Sequence, residues 1–329
     1  MRHFRTLRGL LPALFLLLLA AAGALSSCSP KRNNAATRKY QEFITRYNIH
    51  YNGDKHFKET LEEMELGYED DYSRLLPVHP ANAKADKKAP QPSGNFDRSI
   101  EKAQKAIQLR SIKKKPKKQA GKGNDPKYKE WMKRDEYNPF LHNSWLMMGR
   151  SQFLNGDFLG AASTFFYISK HFTWLPETVT EAKLWEARSY SAMGWLFEAE
   201  TILTRIKEDK LVSRKLRELN ALAWADFEIR SGDYGKAIPR VAAAASMAGR
   251  QQKVRLNFLL GQLYALEGDK AAAYRAFGKA GGSGAATYRT KFNARIKQSE
   301  VYTGTDIAPE VKALRRMARY DRNKEYLAQ

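Results

Sequence analysis

From about residue 137 onward, apolar positions fall at helical spacing in successive stretches, each closed by a glycine and reopened by a further helical stretch. The closing segments align as Asn155-Gly156-Asp157-Phe158, Met193-Gly194-Trp195-Leu196, Ser231-Gly232-Asp233-Tyr234 and Glu267-Gly268-Asp269-Lys270, with glycines 38, 38 and 36 residues apart. Trp145, Met148, Gly149, Gly156, Ala161 and Phe165 of the first unit follow the tetratricopeptide order of Trp, Leu, Gly, Gly, Ala, Phe. Ala187, Tyr190, Gly194, Ala199 and Leu203 continue it in the second unit, and Ala225, Gly232, Ala237 and Val241 in the third. Gly261, Tyr264, Gly268, Ala273 and Phe277 complete the fourth. The physical reading is an antiparallel helix pair per unit. A glycine leaves the first helix in a left-handed conformation, and Asp157, Asp233 and Asp269 cap the second. Small residues at Gly149, Ala187, Ala225 and Gly261 let paired helices approach. One pair cannot bury its apolar face alone, so the pattern predicts an all-α, tetratricopeptide-like helix-pair solenoid over residues 137–329.

Beyond the fourth unit, Gly281-Gly282-Ser283-Gly284 breaks the chain, and residues 285–303 and 308–320 read as another pair. The incomplete helix after it predicts an apolar end face of Leu314, Met317, Tyr326 and Leu327.

Upstream the pattern is weaker. Residues 37–76 are expected to hold a helix pair broken at Asn52-Gly53-Asp54, and residues 77–95, rich in Pro, Ala, Lys and Asn, a mobile linker. Residues 96–112 suit a short amphipathic helix through Ile100, Ala103, Ala106, Ile107 and Leu109. Residues 113–136 then read as a disordered basic loop, carrying Lys113, Lys114, Lys115, Lys117 and Lys118. That patch suits acidic proteins, anionic headgroups or other envelope polyanions, or serves only to keep the loop soluble.

The N-terminus predicts the address. Arg2, Arg5 and Arg8 precede an apolar run from Leu10 to Leu25, too short to span a bilayer and ending in small residues. Leu25-Ser26-Ser27-Cys28 fits a bacterial lipobox, making 1–27 a lipoprotein signal peptide, Cys28 the lipidated residue and 28–36 a tether. No acid follows in Ser29 to Asn33, so the expected location is the outer membrane, facing the periplasm.

Composition narrows the function. The chain has 57 Lys and Arg against 35 Asp and Glu, a net charge of +22, yet an exported protein does not meet cytoplasmic nucleic acid. Its single cysteine excludes an intramolecular disulfide and a Cys/His zinc cage, and no phosphate loop or nucleophile elbow is present. The six histidines form no ligand spacing, and the acids at Glu62, Glu63, Glu65, Glu69, Asp70 and Asp71 read as a solvated face. No catalytic residue, metal, cofactor or small-molecule substrate is expected.

Tyr47-Asn48-Ile49-His50-Tyr51-Asn52-Gly53, Ile100 to Ile107, Leu184 to Tyr190 and Met317 to Leu327 together resemble the tetratricopeptide lipoproteins of Bacteroidetes type IX secretion and gliding motility, the PorW/SprE family. The resemblance runs from Cys28 to Gln329, and members of that family continue with further repeats. It implies a non-catalytic outer-membrane lipoprotein that bridges the translocon to periplasmic ring and motor parts.

An adaptor needs a surface. First helices of such pairs line the concave face, which places there Asn143, Leu146, Arg150 and Phe153, with Glu181, Leu184 and Arg188. Leu222, Asp226 and Ile229, then Phe258 and Gln262, continue it as an open groove for an extended peptide or partner helix. The alternatives are a periplasmic lipoprotein capturing peptides or glycans in a closed pocket, and an envelope hydrolase.

Overall fold

The computed structural model describes residues 32–326, with the side chains of Glu325 and Tyr326 left aside, so the leader and Cys28 lie outside the described residues. Among the described residues there are fourteen α-helices and no strand. Helices α1 (Ala35–Ile44) and α2 (Tyr51–Gly67) are joined by a π-helical turn, Thr45–His50, and are followed by α3 (Asp97–Arg110) and α4 (Pro126–Lys133). Four helix pairs come next. They are α5 (Leu141–Asn155) with α6 (Phe158–His171), and α7 (Pro176–Met193) with α8 (Leu196–Leu203). Then come α9 (Arg214–Arg230) with α10 (Tyr234–Met247), and α11 (Arg250–Leu266) with α12 (Lys270–Gly281). Helices α13 (Tyr288–Glu300) and α14 (Ala308–Ala318) end the array, and α3 packs on α5 at its other end.

The turns repeat one design. Gly156, Gly194, Gly232 and Gly268 all have φ between +77° and +86°. After each, the next residue donates its backbone N–H to a carbonyl five residues back, as in Asp157 to Gln152 and Asp269 to Tyr264, both 2.9 Å. This is the Schellman closure, which satisfies helix-end carbonyls that would otherwise lack partners. Asp157 and Asp269 then cap α6 and α12 by accepting from Gly160 and Ala272. Asp233 departs from expectation: it makes no cap hydrogen bond and accepts from Lys236 Nζ instead.

Within each pair, residues sixteen apart balance in size. Gly149 faces Phe165 and Gly261 faces Phe277, so closely that a Cβ would lie 2.7 Å and 2.5 Å from the rings. Where the small residue is Ala187 or Ala225, its counterpart in the same core cluster shrinks to Leu203 or Val241. Volume is conserved across the repeat, as close packing demands.

Three expectations for the N-terminal third are corrected. Asn52-Gly53-Asp54 does not break a helix; it lies inside α2, where Gly53 is needed because Met147 and Lys102 pack 2.6 Å and 3.0 Å from its Cβ position. The first part of the supposed mobile linker, residues 77–86, belongs to a packed strap, described below. The basic segment is a pinned loop containing α4, with Tyr137 N donating to Ile112 O and the buried Glu136 accepting from the backbone of Ile112, Tyr137 and Asn138. At the far end, Leu314 and Met317 are half-buried, and Ile307, Val311 and Tyr320 form the exposed apolar surface; Leu327 lies outside the described residues.

Candidate functional site

The face expected to be an open groove is already occupied by the chain itself. After α2, residues 68–86 run as an extended strap across α7, α9 and α11, ending in the 3-10 turn Pro80–Ala85. Leu76, Val78, Ala81, Asn82 and Ala83 are buried along it.

Side-chain amides hold the strap by its backbone. Gln262 Oε1 accepts from Leu76 N at 3.0 Å, while Gln262 Nε2 donates to Arg74 O at 2.7 Å. Gln252 Nε2 donates to Val78 O at 2.5 Å. Charges lock its two ends. Arg255 reaches Asp70 through two 2.7 Å contacts, and Asn82 bridges Asp226, at 2.8 Å, to Arg188, at 3.3 Å. Tyr72 packs its ring against Phe258 and shares a 2.7 Å hydrogen bond with Thr290. Burial pushes the Tyr68 phenol up to about 12, helped by Asp70, and the same desolvation brings the enclosed Arg188 down to about 10.

The predicted groove residues therefore divide. Arg188, Asp226, Phe258 and Gln262 do touch an extended peptide, but it is this chain's own. Leu184 belongs to the core between α7, α8 and α9, and Phe153 to the core with Phe158 and Phe165, so neither is open to a partner. Leu146 and Leu222 are buried as well. Asn143 is half-buried and donates to Phe140 O. Arg150, also half-buried, donates to Leu146 O and lies over the Phe57 ring. The open groove expected there is closed along the strap.

One stretch remains open. A cavity of about 460 Å³ lies between α2 and the N-terminal ends of α9 and α11, beside His79 of the strap. Phe57, Leu61, Leu154, Trp185, Leu219 and Leu222 supply its apolar walls, and Glu62, Glu65, Arg150, Lys215, Glu218 and Arg250 its charges. Among the described residues, Trp185 Nε1 and Arg188 Nε, both at its lining, have no hydrogen-bond partner.

Several of these residues carried no signal in the sequence. Trp185 reads as a core filler, and Asp70, Asn82, Gln252 and Arg255 sit in ordinary polar contexts. The lysines 113, 114, 115, 117 and 118 are exposed, as expected. Among the described residues no group of three or more His, Cys, Asp or Glu is placed to hold a metal ion, and no helix is long and apolar enough to cross a membrane. No family model matches the chain, and no curated protein matches it in sequence.

Proposed function

We propose that the protein is a lipid-anchored adaptor of the bacterial envelope, its helix pairs forming a tetratricopeptide scaffold that binds protein rather than catalysing a reaction. The lipobox ending at Cys28 supports the anchor, and the repeat spacing and the PorW/SprE-like motifs support a place in type IX secretion or gliding machinery, at the periplasmic side of the outer membrane. The observation that carries the adaptor reading is the strap: the array already holds an extended peptide by backbone-directed amides from Gln252 and Gln262. That mode of recognition is indifferent to side-chain identity and extends naturally to a second segment. The cavity beside His79, with its apolar walls and charged rim, is the place for a partner's extended segment or helix end.

Two measurements test it. Metabolic labelling with palmitate is expected to mark the wild-type chain and not Cys28→Ser; label on the variant removes the anchor from the proposal. A photo-crosslinker at Leu61 or Leu219 is expected to trap an envelope protein. Adducts only with free peptides at both positions would favour a second reading, capture of peptides, which the size of the cavity also suits.

A further inference from the structure

Helix α1 is amphipathic in the wrong sense. Along α1 and the π-helical turn after it, the inward residues Thr37, Gln41 and Thr45 are at most 1% exposed, while Tyr40, Phe43, Tyr47 and Tyr51, the first residue of α2, are between 39% and 60% exposed. Their spacing of three, four and four residues puts the rings on one outward stripe that continues through the π-helical turn. A helix that buries threonine and glutamine and presents four aromatic rings has its apolar face directed at something outside the molecule.

The surroundings state the chemistry of that something. Lys39 of α1 and Arg46 of the π-helical turn are exposed. The basic loop is fixed alongside: Asn33 Nδ2 donates to Lys114 O at 2.7 Å, Arg38 lies over the Trp131 ring, and Asn138 Nδ2 donates to both Thr45 Oγ1 and Arg110 O. Residues 110–134 hold eleven Lys or Arg against two acids. Lys113, Lys114, Lys115, Lys117 and Lys118 form no ion pair among the described residues, and α4 buries none of its residues. Five lysines without an ion pair beside exposed rings are unlike the core of a protein–protein contact, from which charge and lysine in particular are depleted. The combination suits a headgroup layer, where aromatic rings settle at the interface and lysines meet phosphate.

We propose that this end of the molecule, α1 together with the basic loop, lies on the surface of an anionic phospholipid bilayer. The inference rests on the lipoprotein reading only in that a Cys28 anchor would deliver α1 there: the seven peptide steps from Cys28 to Ala35 span at most about 25 Å. Contact with the bilayer by these side chains does not depend on lipidation.

Every described helix lies beyond residue 31, so a chain starting at Ser29 contains all of them. Its co-sedimentation with vesicles of phosphatidylglycerol and phosphatidylethanolamine, or of phosphatidylcholine alone, is the test. We expect binding to the anionic vesicles only, weakening as salt rises. Tyr40→Ser/Phe43→Ser/Tyr47→Ser and Lys113→Gln/Lys114→Gln/Lys117→Gln/Lys118→Gln should each weaken it by about tenfold or more, with melting temperature unchanged. Lys115 is spared because it donates to Arg134 O. Removing an equal charge from α14 and the residue that caps it, as Lys312→Gln/Arg315→Gln/Arg316→Gln with Arg319→Gln, should leave binding as it was. Absence of binding to anionic vesicles at low salt, as an acidic protein partner would predict, overturns the proposal. So does undiminished binding by either N-terminal variant, or an equal loss in the α14 variant. Palmitate labelling of the full chain decides the anchor separately, so failure of one reading is distinguishable from failure of the other.

Discussion

Arg255 grips Asp70 through two 2.7 Å contacts between residues 185 apart in the chain, both almost fully buried. The guanidinium also donates to Pro77 O at 3.2 Å, so one side chain reads the strap at two points. This latch fastens the start of the strap to α11 and turns an extended segment into part of the core.

Asp70→Asn should cost about 3–5 kcal/mol, because it leaves a buried guanidinium without its counter-charge. Urea unfolding measures the loss, and cleavage within residues 77–95 by a protease should become faster. Asp70→Leu combined with Arg255→Met should be less damaging than Asp70→Asn alone, since no uncompensated charge remains. An Asp70→Asn chain with the wild-type midpoint would mean the strap is held elsewhere.

Gly149 and Phe165 make a second prediction. A methyl group at residue 149 would sit 2.7 Å from the Phe165 ring, so Gly149→Ala should destabilise by about 1–3 kcal/mol and Gly149→Leu by more. Adding Phe165→Leu to Gly149→Ala recreates the Ala187 and Leu203 combination of the next unit and should recover most of the loss. If thermal melting shows no recovery in the double variant, size balance does not govern the repeat.

Glu186 on α7 is buried, and burial raises its carboxyl to about 7, against the lowering influence of Lys183 and Lys170. A carboxyl raised in the folded state resists ionisation there but ionises freely when unfolded. The penalty is therefore absent below the ordinary value of 4.5, grows between pH 4.5 and 7, and is constant above. Glu186→Gln should stabilise by at most about 3 kcal/mol at pH 8 and leave stability unchanged at pH 4.5. Equal effects at the two pH values would show that the carboxyl is solvated.

His50 gives the opposite dependence. Burial in the π-helical turn, with Arg150, His142 and Lys58 nearby, lowers its imidazole to about 4, although Asp54 opposes the shift. The folded state keeps it neutral while the unfolded chain takes up a proton below 6.5. Stability is full above that value and falls as pH drops toward 4, by at most about 3 kcal/mol for this group. His50→Gln should flatten that part of a stability-versus-pH curve measured by urea unfolding. An unchanged slope would place the acid sensitivity on His79 and His142, whose imidazoles burial also lowers.

The array was legible in the sequence because its causes are local. A left-handed glycine is demanded by four Schellman turns, and a small residue must stand sixteen positions before a large one wherever two helices touch. Both leave a mark at fixed spacing. The helix break expected at Asn52-Gly53-Asp54 failed because the same glycine serves a different need, the approach of Met147 and Lys102, and local turn chemistry yields to a tertiary contact. The strap left no mark at all. An extended segment has neither the 3.6 nor the 2.0 residue period, and the amides of Gln252 and Gln262 bind its peptide groups, which every sequence possesses. Nor did α1 reveal which of its faces turns inward, since the hydrophobic pattern points the aromatic side to the core. Only the packing of Thr37, Gln41 and Thr45 against the rest of the molecule decided that the rings face out. What the sequence determined by itself was the helix pairs of the array and their spacing; the tertiary structure decided which surface the chain covers with its own strap and which it leaves bare, because burial depends on contacts between residues far apart in the chain.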